Sequence, residues 1–567
     1  MIPLYYVPIF SKNMISKLVI AMLVFSMIVV PTAARIWYVD DSEGPGIDFK
    51  SIQEAIDSAR AGDIIIVYNG TYRENVKVSK QLNLIGINMP IVDAGGNSSA
   101  ITICADGCIL AGFKVVNSGI DQNGTGIYVI SDNNQIRENN VISNYGFGIY
   151  LKYSNNNNIS DNNIIFNYKY GIHLKYSNNN TILNNRVCLN YRRGIFLMYS
   201  NNNNISNNIA NANNDRGIYL KYSDNNTILN NYACLNNRDG IHLSYSSHNI
   251  ISNNKASLNK DAGIYIEHSI HNILLNNKAN SNSENGLYIS NSSYNIILSN
   301  YACLNSRQGI YLRGLYNTVL NNTFNLNYWH GIYLHGSYNT VLNNNASLNR
   351  EDGIFLGRSN NNIISNNNAL NNDDGIFLVN SCCNIISNNN VMNEDDGIFL
   401  ENSHNNIISN NKASNNYVGI NLATYSSNNT ITNNDIYMNK FDGILLCFSN
   451  YNTLLNNSIH SNSKHGIFLF SSFKNSIYHN NLINNTDSDA RDDDGSNVWY
   501  NSSLREGNYY SDYRGEDEDE DGIGDSPYII PGSSSSIDIY PLMYPLIFQY
   551  DPFSSFSLPS SSFLSSS

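Results

Sequence analysis

The stretch "GIYLKYSDNNTILNN", residues 217–231, decides how this chain folds. Its opening word alternates, with Ile218 and Leu220 on one side and Tyr219 on the other, which is strand periodicity. A polar turn follows, then a second short apolar run, "TIL", and more asparagine. The glycine-led word returns sixteen times from Gly126 to Gly466, in steps of 22 or 23 residues with one of 24. Self-similarity at that period means a solenoid. Leucine-rich repeats have a similar length but lack this glycine and asparagine phase. Short strands that close a coil every 22 residues or so describe an all-β fold, a parallel β-helix. Sixteen coils stacked at the strand spacing give a rod of ~75 Å. Equal phases form ladders along it: Ile and Leu inside, Asn at the turns, where its amide can bond along the ladder and its backbone tolerates the left-handed region.

The first edge of such a rod needs a plug. "DFKSIQEAIDSARAGD", from Asp48, places Ile52, Ala55, Ile56 and Ala59 on one helical face and supplies an N-terminal helix cap. Before it, Lys12 and Lys17 precede an apolar run from Leu18 to Val30 and the small residues Ala33 and Ala34. That is the pattern of an export signal over residues 1–34, with Met14 as an alternative start. No further apolar run is long enough to span a membrane. The expected order is then irregular first coils over 35–120, regular coils over 121–485, an acidic cap over 486–545 and a Ser-rich disordered tail over 546–567.

Charge is concentrated in that cap. Residues 487–525 hold 14 acidic and three basic side chains, nearly the whole net charge of −13. No basic footprint for nucleic acid is present. Eight cysteines invite a disulfide reading, with Cys104–Cys108 and the vicinal Cys382–Cys383 as candidate pairs. Most fit better as small buried apolar residues.

Three segments carry a family resemblance. "DFKSIQEAIDSARAGDIIIVYNGTYRENV" (48–76) resembles the opening of pectin-lyase-like β-helix proteins, and the "GIYL…NNTILNN" coils resemble their repeats. "GNYYSDYRGEDEDEDGIGDSPYIIPG" (507–532) followed by "DIYPLMYPL" resembles the tail of the NosD-type family, named for a periplasmic copper-binding protein. The resemblance covers roughly residues 36 to 545 and implies a right-handed helix.

Four constellations could carry chemistry. Glu351–Asp352, Asp373–Asp374 and Asp395–Asp396 each precede a glycine at a period of 22, so they form an acidic column, with Trp329 and His330 one coil earlier. Adjacent rungs sit near the carboxylate spacing of retaining glycosidases. A sugar could stack there or a cation could bridge the acids. The same phase holds Arg216, Asp239 and Asp442 elsewhere, so it also reads as a turn open to any polar residue. Polygalacturonase-type His-Gly and Arg-x-Lys companions and the alginate-epimerase "DPHE" signature are not evident. Second, Tyr265, Tyr288, Tyr311 and Tyr333 share an outward phase and form a strip suited to stacking on carbohydrate, or simply a ladder that stabilises the sheet. Third, His248 and His271 lie 23 apart and stack across adjacent coils, a candidate copper pair or a replacement for asparagine in a ladder. Fourth, Asp517, Asp519, Asp521, Gly522 and Asp525 follow a D-x-D-x-D-G-x-x-D register, which wraps calcium around a glycine turn.

The leading reading is an exported, non-catalytic β-helix, at the cell surface or in a periplasm-like space. It presents its ladders to glycans or cell-envelope components, with structural calcium in the cap. The alternatives are a lyase, hydrolase or epimerase acting on uronate glycans, and a NosD-like copper-delivery protein.

Overall fold

The computed structural model describes residues 34–42, 44–120 and 124–548. The expected signal segment, Ala34 apart, and the tail from residue 549 onward lie outside them.

The chain winds into a right-handed parallel β-helix with three faces. The glycine-led words form a front sheet of 19 parallel strands. The "TIL" words form a flank sheet of 20 strands. In one coil these are Ile218–Lys221 and Thr227–Leu229, and the next coil repeats them with Ile218 paired to Ile241 and Thr227 to Ile250. The rod has about 19 turns, more than the sixteen glycine words, because the front strands Val76–Val78, Ile101–Ile103 and Ser488–Asp492 at the two ends lack the glycine word.

The third face is an addition to the sequence reading. It carries three-residue strands such as Asn163–Ile165 and Asn390–Met392 toward the ends, and single bridges such as Ile209↔Tyr232 in the middle. Each of these strands turns one apolar residue inward, Ile164 or Val391, and in the middle coils Ala210, Ala233 or Ala256. One inward residue per coil leaves no alternation to read.

Four corners close each coil, each turned by a residue with positive φ. In the coil from Gly217 these are Tyr222 (φ 51°), Asn225 (57°), Asn230 (56°) and Leu235 (60°). Each is followed by a buried ladder residue: Ser223, Asn226, Asn231 and Asn236. The doubled asparagines of the repeat thus divide two jobs. The first turns the backbone outside; the second bonds inside. Asn231 shows the bonding. Its N–H and side-chain amide both donate to Asn254 Oδ1 (2.8 and 3.0 Å), and the amide also donates to the Ile205 carbonyl (2.8 Å). Polar groups that would be costly buried alone are thereby satisfied from coil to coil. The repeated glycine is steric in origin. A Cβ on Gly217 would sit 2.7 Å from the Gly240 carbonyl oxygen and 2.8 Å from Asn236 Nδ2.

All three asparagine ladders end on a buried aspartate of the C-terminal cap. Asn485 donates to Asp489 (2.9 Å), Asn497 to Asp492 (3.1 Å) and the Asn508 N–H to Asp538 (2.8 Å). A carboxylate, which only accepts when ionised, matches the donors left over at a ladder's last rung. At the other end the helix Ile52–Ser58 buries Ile52, Ala55 and Ile56 on the first coils, as its spacing predicts. Glu74 receives the Ile52 and Gln53 amides, both at 2.9 Å. All eight cysteines are free, so neither Cys104–Cys108 nor Cys382–Cys383 is bridged. No described helix is long and apolar enough to cross a membrane.

Candidate ligand-binding face

The front sheet positions most of the candidate residues. Two places after each glycine the side chain points away from the core, and in-register strands stack these residues into one column. Tyr265, Tyr288, Tyr311 and Tyr333 follow one another with ring centroids 4.6, 4.7 and 5.1 Å apart. The strip expected from the sequence is present but only half exposed, since each ring shields its neighbours. Burial raises the Tyr311 and Tyr265 hydroxyls above the ordinary tyrosine range, so both stay protonated donors at neutral pH. Phe355, Phe377 and Phe399 continue the column. His173 and His242 belong to it as well and were not singled out by the sequence reading, because "GIHL" reads as an ordinary variant of "GIYL".

The residue before each glycine forms a second column beside the first. His330, Asp352, Asp374 and Asp396 occupy successive rungs there, as predicted. Each acidic pair splits. Glu351, Asp373 and Asp395 are exposed, whereas Asp352, Asp374 and Asp396 are only 5, 8 and 5% exposed. Asp352 lies 3.1 Å from His330 Nδ1, Asp374 accepts the Asp396 N–H at 2.8 Å, and Asp396 accepts the Asn421 amide at 2.7 Å. His330 stacks on Phe355 at 4.9 Å. Burial, then the charges of Asp396 and Asp352, push the Asp374 carboxyl up to about 9; burial lifts Asp396 to about 7. These acids are built into a vertical chain of contacts. With their pKa values raised, Asp374 and Asp396 hold their protons far above the ordinary carboxylate range. Trp329 is separate, 41% exposed at the edge, with the Arg307 guanidinium 5.6 Å from its ring centre.

Farther toward the N-terminus the same two columns carry an ion network. Arg193 and Arg216 both pair with Asp215 (3.1 and 3.3 Å). Arg216 also pairs with Asp239 (3.0 Å), which lies 2.8 Å from His242 Nδ1. His242 Nε2 reaches Glu267 at 3.5 Å. The His242 imidazole beside it holds Glu267 down to about 2. Burial opposes ionisation of Asp239, and His242 and Arg216 outweigh it, so its pKa falls below the ordinary value. The sequence shows Arg216 and Asp239 in one phase; Glu267 and His242 join only through the register.

The histidine pair stacks as its spacing predicts, ring centroids 5.1 Å apart, and holds the phase of Asn179, Asn202 and Asn225. Both occupy outward corners (φ 58° and 56°), and the stack continues onto Tyr294 at 5.1 Å. They replace the corner asparagine rather than the bonded one. In the cap, Asp517, Asp519 and Asp521 bring one carboxylate oxygen each within 4.8 Å of one another. Gly522 follows at φ +87°, the turn the motif requires. Asp525 does not join them; it accepts the Glu518 N–H at 2.7 Å, which ties the loop's two ends.

Comparison with known proteins places this architecture. The family described as "Periplasmic copper-binding protein (NosD)" matches in overlapping stretches, 63–191, 105–285, 232–350, 278–394 and 330–515. No curated protein matches the chain. Among solved structures, the mannuronan C-5 epimerase AlgE4 A-module of Azotobacter vinelandii is 17% identical, covering 52% of this chain and 89% of its own, with a TM-score of 0.38. The periplasmic alginate epimerase AlgG is 16% identical over 54% of this chain and 80% of its own, TM-score 0.34. The Dettilon tailspike protein gp208 is 17% identical over 55% and 61%, TM-score 0.35. None of their activities transfers by fold. No third His, Cys or acidic donor gathers at the predicted histidines: among the described residues, Asp517, Asp519 and Asp521 are the one gathered set of three such donors, and carboxylates suit a hard cation. With its pattern matched from residue 63 to residue 515, the chain belongs to the NosD family of β-helix repeat proteins.

Proposed function

We propose that this NosD-type rod is an exported, non-catalytic glycan-binding protein of a periplasm-like space or cell surface. The observation that carries the reading is the unbroken stack from Tyr265 to Tyr333. It offers half-exposed rings and hydroxyl donors in a straight row at the coil repeat, a surface on which successive sugars can lie. The burial of Asp352, Asp374 and Asp396 argues against cleavage there. Replacing Tyr288 and Tyr311 together by Ala is expected to weaken binding of a neutral oligosaccharide about tenfold, ~1.4 kcal/mol. Calorimetry checks this, with circular dichroism confirming the fold. Affinity equal to that of the unaltered protein removes the face from the account.

The cap reading is a structural calcium ion on Asp517, Asp519 and Asp521. Calcium at a hundredfold excess over its Kd adds ~2.7 kcal/mol to the folded cap. The melting temperature is expected to fall on EDTA treatment and to recover with calcium but not with added copper. An Asp519→Ala, Asp521→Ala double variant is expected to be indifferent to EDTA. A melting curve unmoved by EDTA sinks the claim.

A further inference from the structure

The middle of the third face holds a groove of about 750 Å³ that the preceding reading does not use. Its floor is the outward column Ile209, Tyr232, Lys255 and Lys278, joined coil to coil by single bridges. One wall is a row of corner asparagines, Asn207, Asn230, Asn253 and Asn276, all exposed and all at φ 54–56°. Their backbone N–H groups are committed to the next coil, for example Asn230 to the Ser252 carbonyl at 3.0 Å. Among the described residues their side-chain amides have no hydrogen-bond partner, the ammonium groups of Lys255 and Lys278 have no ion-pair partner, and no acidic residue lines the groove.

We propose that this groove binds a linear uronate polysaccharide, laid parallel to the rod axis. Charge picks the occupant. Nearly all of the net charge of −13 lies in the C-terminal cap and the rod itself is close to neutral, so two neighbouring lysines in a groove lined by no acid set the local sign. The coils rise ~4.8 Å, so Lys255 and Lys278 present charges at that repeat. An extended pyranose chain with one carboxylate per sugar can place successive carboxylates against them. The asparagine row offers a donor and an acceptor per coil to ring hydroxyls. Tyr232, 52% exposed, gives a sugar face a ring to lie on. Nucleic acid is disfavoured, because two lysines make too small a cationic surface for a phosphate backbone.

The inference rests on the glycan-binding reading but names a different surface, so the two can fail separately. The full chain is titrated with oligogalacturonate, with the same oligomer methyl-esterified, and with a neutral oligosaccharide. The unaltered protein is expected to bind the acid form at least tenfold more tightly than the ester, with affinity falling as salt rises. Lys255→Ala with Lys278→Ala should abolish that preference and leave neutral-glycan affinity unchanged; Tyr232→Ala should weaken acid and ester alike. The Tyr288→Ala, Tyr311→Ala variant should keep the acid preference. Equal affinity for acid and ester, or an acid preference that survives loss of both lysines, overturns the groove while the front-sheet reading stands. Tighter binding of single-stranded DNA than of oligogalacturonate also overturns it.

Discussion

Asp374→Asn is expected to melt higher than the unaltered rod at pH 8, and the advantage should vanish below pH 4. Asp374 has a folded-state value near 9 and Asp396 one near 7, both raised from 3.8. The folded state therefore holds these protons more tightly than the unfolded chain does. The resulting stability is fully present below the unfolded value and is lost as pH rises, through about 7 for Asp396 and about 9 for Asp374. An asparagine never ionises, and its Oδ1 can still accept the Asp396 N–H that Asp374 accepts at 2.8 Å. Relieving a hundredfold difference in proton affinity already corresponds to ~2.7 kcal/mol, so a gain on the order of 3 kcal/mol at pH 8 is expected. Thermal melts of both proteins from pH 4 to pH 9 provide the check. Parallel curves would mean that the acidic column is solvated or neutralised.

The second large effect separates two adjacent asparagines. Asn322→Leu should cost on the order of 4 kcal/mol, whereas Asn321→Ala should cost ~1 kcal/mol. Asn322 Oδ1 receives the Asn300 N–H and amide at 2.7 and 3.0 Å, and its own amide donates to the Ile297 carbonyl and to Asn344 at 2.9 and 3.0 Å. Leucine fills the space and strands each of these buried partners. Asn321 only turns the corner, at φ 57°. Because each coil touches only its neighbours, the loss should be local. Hydrogen exchange is expected to show opening centred on the coils from residue 295 to 345, with the ends of the rod protected. Equal effects of the two substitutions would refute the division of labour.

That contrast also shows what the sequence could reveal. The period, the two alternating words and the helical spacing at Ile52, Ala55 and Ile56 are local patterns, and they specify the solenoid and its cap. The third face stayed hidden because one inward residue per coil has no period of its own. The letters "NN" do not say which asparagine is inside; only the coil geometry separates Asn225 from Asn226. His248 and His271 keep the phase of Asn225, which the geometry identifies as the outward corner. The acidic column was visible as three pairs, but its burial was not, since that depends on the neighbouring coils. Asp525 matches the calcium register in sequence, yet the backbone of Glu518 claims it. The ion network from Arg193 to Glu267 spans five coils, and no local motif announces it. Asp489, Asp492 and Asp538 lie in the segment read from sequence as an acidic cap, and no local motif marks them as the terminators of the ladders.

The central claim is that the rod holds glycan without transforming it. The most direct measurement is co-elution of the full chain with fluorescently labelled oligogalacturonate and neutral oligosaccharide on a sizing column, after long incubation, with the recovered sugar analysed for length and unsaturation. Retention of label at the protein's elution position, with sugars recovered at their original length and without new double bonds, is the predicted result. Shortened or unsaturated chains, or no retention of either sugar, would contradict it.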